Sequence, residues 1–121
     1  MIAVTGITYY RGKYMTTYFV SRHRGAIQWA YEHGLENAVL IMHMKKEDID
    51  NIHEGDIVVG VLPVNLAAEV CAIGARYFNL ETDIPLEARG KELTLEEMNR
   101  YGARINEYTV KKTETYSLPS A

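Results

Sequence analysis

Ser21, Arg22 and His23 stand side by side in one short turn, and no other triplet in the chain is chemically as capable. An arginine presents a planar fork of donors that matches two phosphate oxygens at once. A histidine exchanges its proton near neutral pH, and a serine hydroxyl both donates and accepts. Such groups hold a phosphate and can work on it. Their setting favours the same ligand. Thr17 to Val20 has high strand propensity, the polar run Ser-Arg-His-Arg-Gly breaks it, and a helix-capable segment from Ala26 to His33 follows at once. The first N–H groups of a helix have no internal partner and sit at the positive end of its dipole, so a strand, turn and helix start gather donors for an anion. The bland alternative is a solvated loop whose charges only keep the helix start in water, because most loop residues carry no chemistry.

Other chemistries are poorly served. His33, His43 and His53 lack metal-ligand spacing such as HExxH, and Cys71 is the single cysteine, so no metal site is expected. Neither GxGxxG nor GxxxxGK[ST] occurs, which removes the common dinucleotide and P-loop readings, and no cofactor is implied. Thirteen basic against sixteen acidic side chains give a net charge of −3, which argues against long nucleic acid but permits a small anion in a pocket. No apolar run approaches the roughly 20 residues needed to span a bilayer, and no signal-peptide plan is visible, so the expected address is the cytoplasm, with no membrane partner. The lone cysteine agrees with that address.

The elements that must carry the turn follow from pattern. With 121 residues, 47% of them hydrophobic and 24% charged, the chain has room for one soluble domain with a modest core. Residues 1–14 are either an edge strand over Ile2 to Thr8 or an upstream extension. The first strand is expected at Thr17–Val20 and the first helix at about Gly25–His33, stopped by Gly34, with Ile27, Ala30 and Tyr31 on its buried face. Trp29 falls off that line and is expected in the core, at a base pocket or at a dimer contact. Ala38–Met44 is a second apolar run, followed by one or two helical turns within Lys45–His53. Ile57–Leu62 is continuously apolar, as in a parallel strand covered on both faces. Pro63 ends it, a helix from Asn65 or Leu66 runs to Ile73, and Gly74 closes that helix. Arg76–Leu80 reads as the next strand and Glu81–Leu93 as a loop. Thr94 opens a third helix with a capping box to Glu97 and a hydrophobic staple between Leu93 and Met98. Arg104–Val110 is the last strand, and residues 111–121 are expected to form a flexible tail. Strands alternating with helices predict a three-layer α/β domain over residues 15–110 with a mainly parallel sheet.

Ligands in such sheets sit beyond the carboxyl ends of the strands. Three loops meet there: Ser21–Gly25, Pro63–Asn65 and Glu81–Gly90. They bring Asn65, Thr82, Asp83 and Arg89 towards Ser21, Arg22 and His23. Each has a structural alternative: Asn65 as a helix cap, Thr82 and Asp83 as turn formers before Pro85, and Arg89-Gly90 as a weak signal alone.

Several stretches resemble a family of small CRISPR-associated proteins, the one numbered sixteen in the Csx series. They are TYFVSRHRGAIQWA (17–30), GDIVVGVLPVNLAAEVC (55–71), GARYFNL (74–80), DIPLEARGKEL (83–93) and MNRYGAR (98–104), in order and without large gaps. The resemblance covers about Met15 to Val110. It implies a type III CRISPR accessory protein of the ring nuclease type, which destroys a cyclic oligoadenylate signal, with cyclic tetra-adenylate as the expected ring. It also implies a Rossmann-like fold related to the CARF domains that sense such rings, and a homodimer, since a two-fold ring suits a two-fold axis.

Under that implied activity the residues take roles. Metal-independent cleavage needs the ribose 2′-OH to attack the adjacent phosphorus in line, with the developing charge neutralised and the 5′-oxygen helped to leave. Arg22 is expected to clamp the phosphate, His23 to act as general acid or base, and Ser21 with the N–H groups of Gly25 and Ala26 to complete an anion nest. Asn65 would hold the attacking hydroxyl or a phosphate oxygen. Pro63, Thr82 and Asp83 would line the ligand, and Arg89 would close over it. Two other readings remain: a module that binds the ring without cutting it, and a histidine phosphatase. Against the latter, Arg24 interrupts the Arg-His-Gly triplet of that fold.

Overall fold

The computed structural model describes residues 7–10 and 13–120, with side chains from residue 15 onward. Strand β1 (Ile7–Tyr10) turns back onto β2 (Lys13–Val20), antiparallel, with Ile7 opposite Thr16. The strand expected over Ile2–Thr8 thus lies mostly outside the described residues, and β2 starts four residues before the expected Thr17. The second half of β2, Thr17–Val20, pairs in parallel on both sides, with β3 (Val39–Ile41) and β4 (Ile57–Gly60). Strand β5 (Arg76–Glu81) adds parallel to β4, and β6 (Arg104–Tyr108) closes the edge antiparallel. The order β3-β2-β4-β5-β6 makes the expected mainly parallel α/β sheet. Connections leave β2 in opposite directions, so a crevice opens between β2 and β4 at their carboxyl ends.

Side chains alternate across the sheet and feed two separate cores. Phe19, Ile57, Val59, Phe78 and Leu80 pack on one face with Ala26, Trp29 and Ala30 of α1 (Arg24–Ala30) and Met98 of α4 (Leu95–Arg100). Val58 and Tyr77 pack on the other with Ile52, just past α2 (Lys46–Asp50), and with Ala67 and Val70 of α3 (Val64–Ile73). The three expected layers are therefore present. All four residues of β4 are buried, as a central parallel strand requires.

Local chemistry sets the helix ends. Helix α1 continues into a wider turn, Tyr31–Leu35, where Gly34 takes φ 95° and stops it. Gly74 ends α3 in the same left-handed way, at φ 95°. Thr94 and Glu97 form the expected capping box: Thr94 Oγ1 accepts from Glu97 N–H at 3.1 Å, and Glu97 Oε1 accepts from Thr94 N–H at 3.1 Å. One expectation for α1 is corrected. Its buried face is Ala26, Trp29 and Ala30, whereas Tyr31 is exposed. Trp29 is 5% exposed and stacks on the His33 ring at 4.5 Å, because α1 packs directly against α4. It is a core residue and lines no pocket at the carboxyl edge. Among the described residues no helix is long and apolar enough to cross a membrane.

Candidate functional site

A cleft of about 590 Å³ lies at the carboxyl ends of β2, β3, β4 and β5, over the crevice where strand order reverses. Its size falls within the range of roughly 300–1,000 Å³ usual for small-ligand sites. The floor is apolar: Val20, Ala26, Leu80 and Met98 are buried or half-buried there. The rim mixes polar side chains, most of them exposed, with the exposed apolar Met42 and Val61. Ser21, Arg22 and His23 follow β2, His43 follows β3, Pro63 follows β4, and Thr82 follows β5. Lys91 and Glu92 return from the long loop ahead of α4.

The turn after β2 is held by its own atoms. Ser21 N–H donates to Ile41 O at 3.0 Å, which ties the turn to the end of β3. Ser21 Oγ accepts from His23 N–H at 3.1 Å, a serine turn that sets the entry into α1. The first helical bond runs from Ile27 N–H to His23 O at 3.0 Å. His23 Nδ1 lies 3.2 Å from Glu92 Oε1, and the two side chains are 58% and 61% exposed. An exposed pair of this kind adds little stability, up to about 1 kcal/mol. Its effect is on orientation.

Six of the ten expected residues line this cleft: Ser21, Arg22, His23, Ala26, Pro63 and Thr82. Four do not. Gly25 is buried beneath the segment before α4, and a Cβ there would run into the Leu93 carbonyl oxygen. Its missing side chain permits this close packing, and it is not among the residues that line the cleft. Asn65 is not the cap of α3, because the helix begins one residue earlier, at Val64, with Pro63 as N-cap. That start turns Asn65 away from the cleft and into a separate groove against Thr109–Glu114. Asp83 is engaged by Arg104, whose Nη1 and Nη2 donate to its two oxygens at 3.2 and 3.1 Å. Arg89 sits in the exposed loop after the short turn Leu86–Ala88 and lines no part of the cleft.

Three residues at the rim were absent from the expected set: His43, Lys91 and Glu92. Their only sequence-level signal was charge at a strand end or in a long loop. Glu92 meets His23 across 69 residues of chain, a distance no local pattern reveals.

The wall after β4 is fixed from below. Tyr77 Oη accepts from Leu62 N–H at 3.0 Å and sits 2.5 Å from Asn79 Oδ1. Burial pushes this phenol above its ordinary 10.0, so it stays a neutral donor to Asn79. Asn79 Nδ2 donates to Glu81 Oε2 at 3.1 Å, and Asn106 Nδ2 donates to Oε1 at 2.8 Å. The Tyr108 hydroxyl first, then these amides, holds the Glu81 carboxyl below its ordinary 4.5. A polar ladder thus runs up β5 and β6 to the loop that carries Thr82.

Residues 18–111 match the family model described as "Putative CRISPR-associated protein (Cas_VVA1548)". The chain belongs to that family. The matched stretch holds every residue that lines the cleft, from Val20 to Met98. No curated protein and no solved structure shows a significant match. For this CRISPR-associated chain, the family expected from the sequence holds at the level of CRISPR association.

Proposed function

We propose that the protein is a ring nuclease of type III CRISPR defence, with a Rossmann-like, CARF-related fold, acting in the cytoplasm as a homodimer on cyclic tetra-adenylate. The observation that supports this reading is the cleft itself. A rim that carries Arg22, Lys91, Glu92 and the imidazoles of His23 and His43 surrounds an apolar floor at the switch point of a parallel sheet. Such a surface suits a ligand that is both anionic and rich in flat apolar rings, as an oligoadenylate is. Arg22 clamps the scissile phosphate, and its fork stabilises charge as the phosphorane forms. His23 moves the proton. Ser21 keeps the turn in place through His23 N–H, and a two-fold ring spans two such clefts.

The test is incubation of the purified protein with labelled cyclic tetra-adenylate in EDTA, with products resolved by chromatography. Linear di-adenylate ending in a 2′,3′-cyclic phosphate is the expected product. A ring that stays intact but co-elutes with the protein would make it a binding module. An intact ring that does not bind would remove the reading.

A further inference from the structure

The contact between His23 and Glu92 carries more than orientation. A carboxylate can only accept a hydrogen bond, so at 3.2 Å the proton lies on His23 Nδ1. In the neutral ring the lone pair is then on Nε2, which has no hydrogen-bond partner among the described residues. A free imidazole side chain in water prefers the opposite tautomer. We infer that Glu92 is a positioning residue that makes His23 the general base of this cleft. The inference rests on the cleavage reading above, and it resolves the choice between acid and base that residue types leave open.

The step balances simply. Nε2 takes the proton of the 2′-OH, O2′ bonds to phosphorus, the P–O5′ bond breaks with its electron pair on O5′, that oxygen takes a proton from water in the open cleft, and the hydroxide left behind takes the proton back from Nε2. The products are a 2′,3′-cyclic phosphate and a 5′-hydroxyl. Glu92 touches none of the reacting atoms. It acts through the ring it holds, as the carboxylate of a hydrolase triad does.

Long-range 1H–15N spectra of the full chain, taken where His23 is neutral, test the tautomer without any ligand. Wild type should show Nδ1–H, Glu92→Ala should revert to Nε2–H, and Glu92→Gln, which retains an acceptor oxygen, should keep Nδ1–H. In single-turnover cleavage of cyclic tetra-adenylate, Glu92→Ala should slow the chemical step about tenfold with ring binding unchanged, and Glu92→Gln should recover part of it. A ring with sulfur in place of the bridging 5′-oxygen separates base from acid, since a thiolate leaves without a proton. The defect of His23→Ala should persist in full on that ring. Relief of the defect, or Nε2–H in the wild-type spectrum, would overturn the assignment while leaving cleavage itself intact. A wild-type protein that cuts no ring would remove both readings together.

Discussion

Arg22 and Gly25 stand three residues apart, and substitution should separate what each does. Arg22 is exposed at the cleft rim with no protein partner among the described residues, so its removal leaves the fold unstrained. Arg22→Ala should lower single-turnover cleavage by about a hundredfold or more, the loss typical of one charge-stabilising donor, with an unchanged denaturation midpoint. Arg22→Lys should restore only part of it, because a point charge cannot grip two oxygens. Gly25→Ala should do the reverse. Its Cβ would meet backbone rather than a yielding side chain, so about 1–3 kcal/mol of stability should be lost in urea titration as α1 and the segment before α4 move apart. Midpoints that ran the other way would show that the two roles had been exchanged. Asn65→Ala, by contrast, should leave cleavage within about twofold of wild type, since that side chain faces the groove beside Thr109–Glu114.

Between elements, the β5–β6 edge depends on ionised carboxylates. Arg76 Nε and Nη2 donate to the two oxygens of Glu107 at 2.7 and 2.8 Å, and the guanidinium holds that carboxyl below its ordinary 4.5. Glu81 is lowered as well, first by Tyr108. A depressed folded pKa contributes stability above the unfolded value, and that contribution is lost as pH falls through the folded one. Melting temperature should therefore drop as pH is taken from about 5 to below 4, and the Glu107→Gln protein should show a flatter profile, starting lower and losing less. Parallel slopes for the two proteins would show that the pair does not set the acid response. This scale is also where the sequence was most legible. The Thr94–Glu97 box, the glycine ends of α1 and α3 and the apolar run of β4 are signals written within a few residues, and each stands where expected, except that β4 stops at Gly60 and not at the expected Leu62. Tyr31 was misplaced, because the packing of α4 on α1 decides which helix face is inside, and periodicity within α1 does not know its partner. Asn65 was misplaced because the helix starts with Pro63 as N-cap, and one residue of offset rotates a side chain by about 100°. Lys91 and Glu92 were missed because only the folded loop brings them back to the turn after β2.

In the whole molecule, two cores share one sheet without mixing. Val58 and Val59 are neighbours in the chain, and each is completely buried, yet they belong to opposite faces. Each Val→Ala change should cost roughly 2 kcal/mol from lost burial and the cavity left behind. Because the two side chains share no packing partners, the double variant should lose the sum of the single losses within about 0.5 kcal/mol. Val59→Ala with Phe78→Leu should depart from additivity, since these residues lie opposite one another on adjacent strands of one face. Urea-denaturation cycles measure both; coupling in the first pair would mean that the faces are not packed as separate units, and additivity in the second that Val59 and Phe78 do not pack on one another.

The hydroxyl of Tyr77 leaves one mark of its own. The ladder between β4 and β5 ends at Gly60, and two residues later Leu62 N–H is held by this single side chain. Amides at Val58 and Val59 can exchange with solvent only when the sheet opens, but Leu62 needs no more than the breaking of one bond to a phenol. Its exchange rate is a clock for the cleft wall alone, running far ahead of global unfolding. A ligand pressing on Pro63 would work against that one bond and leave the sheet undisturbed, so the site can breathe on a scaffold that does not.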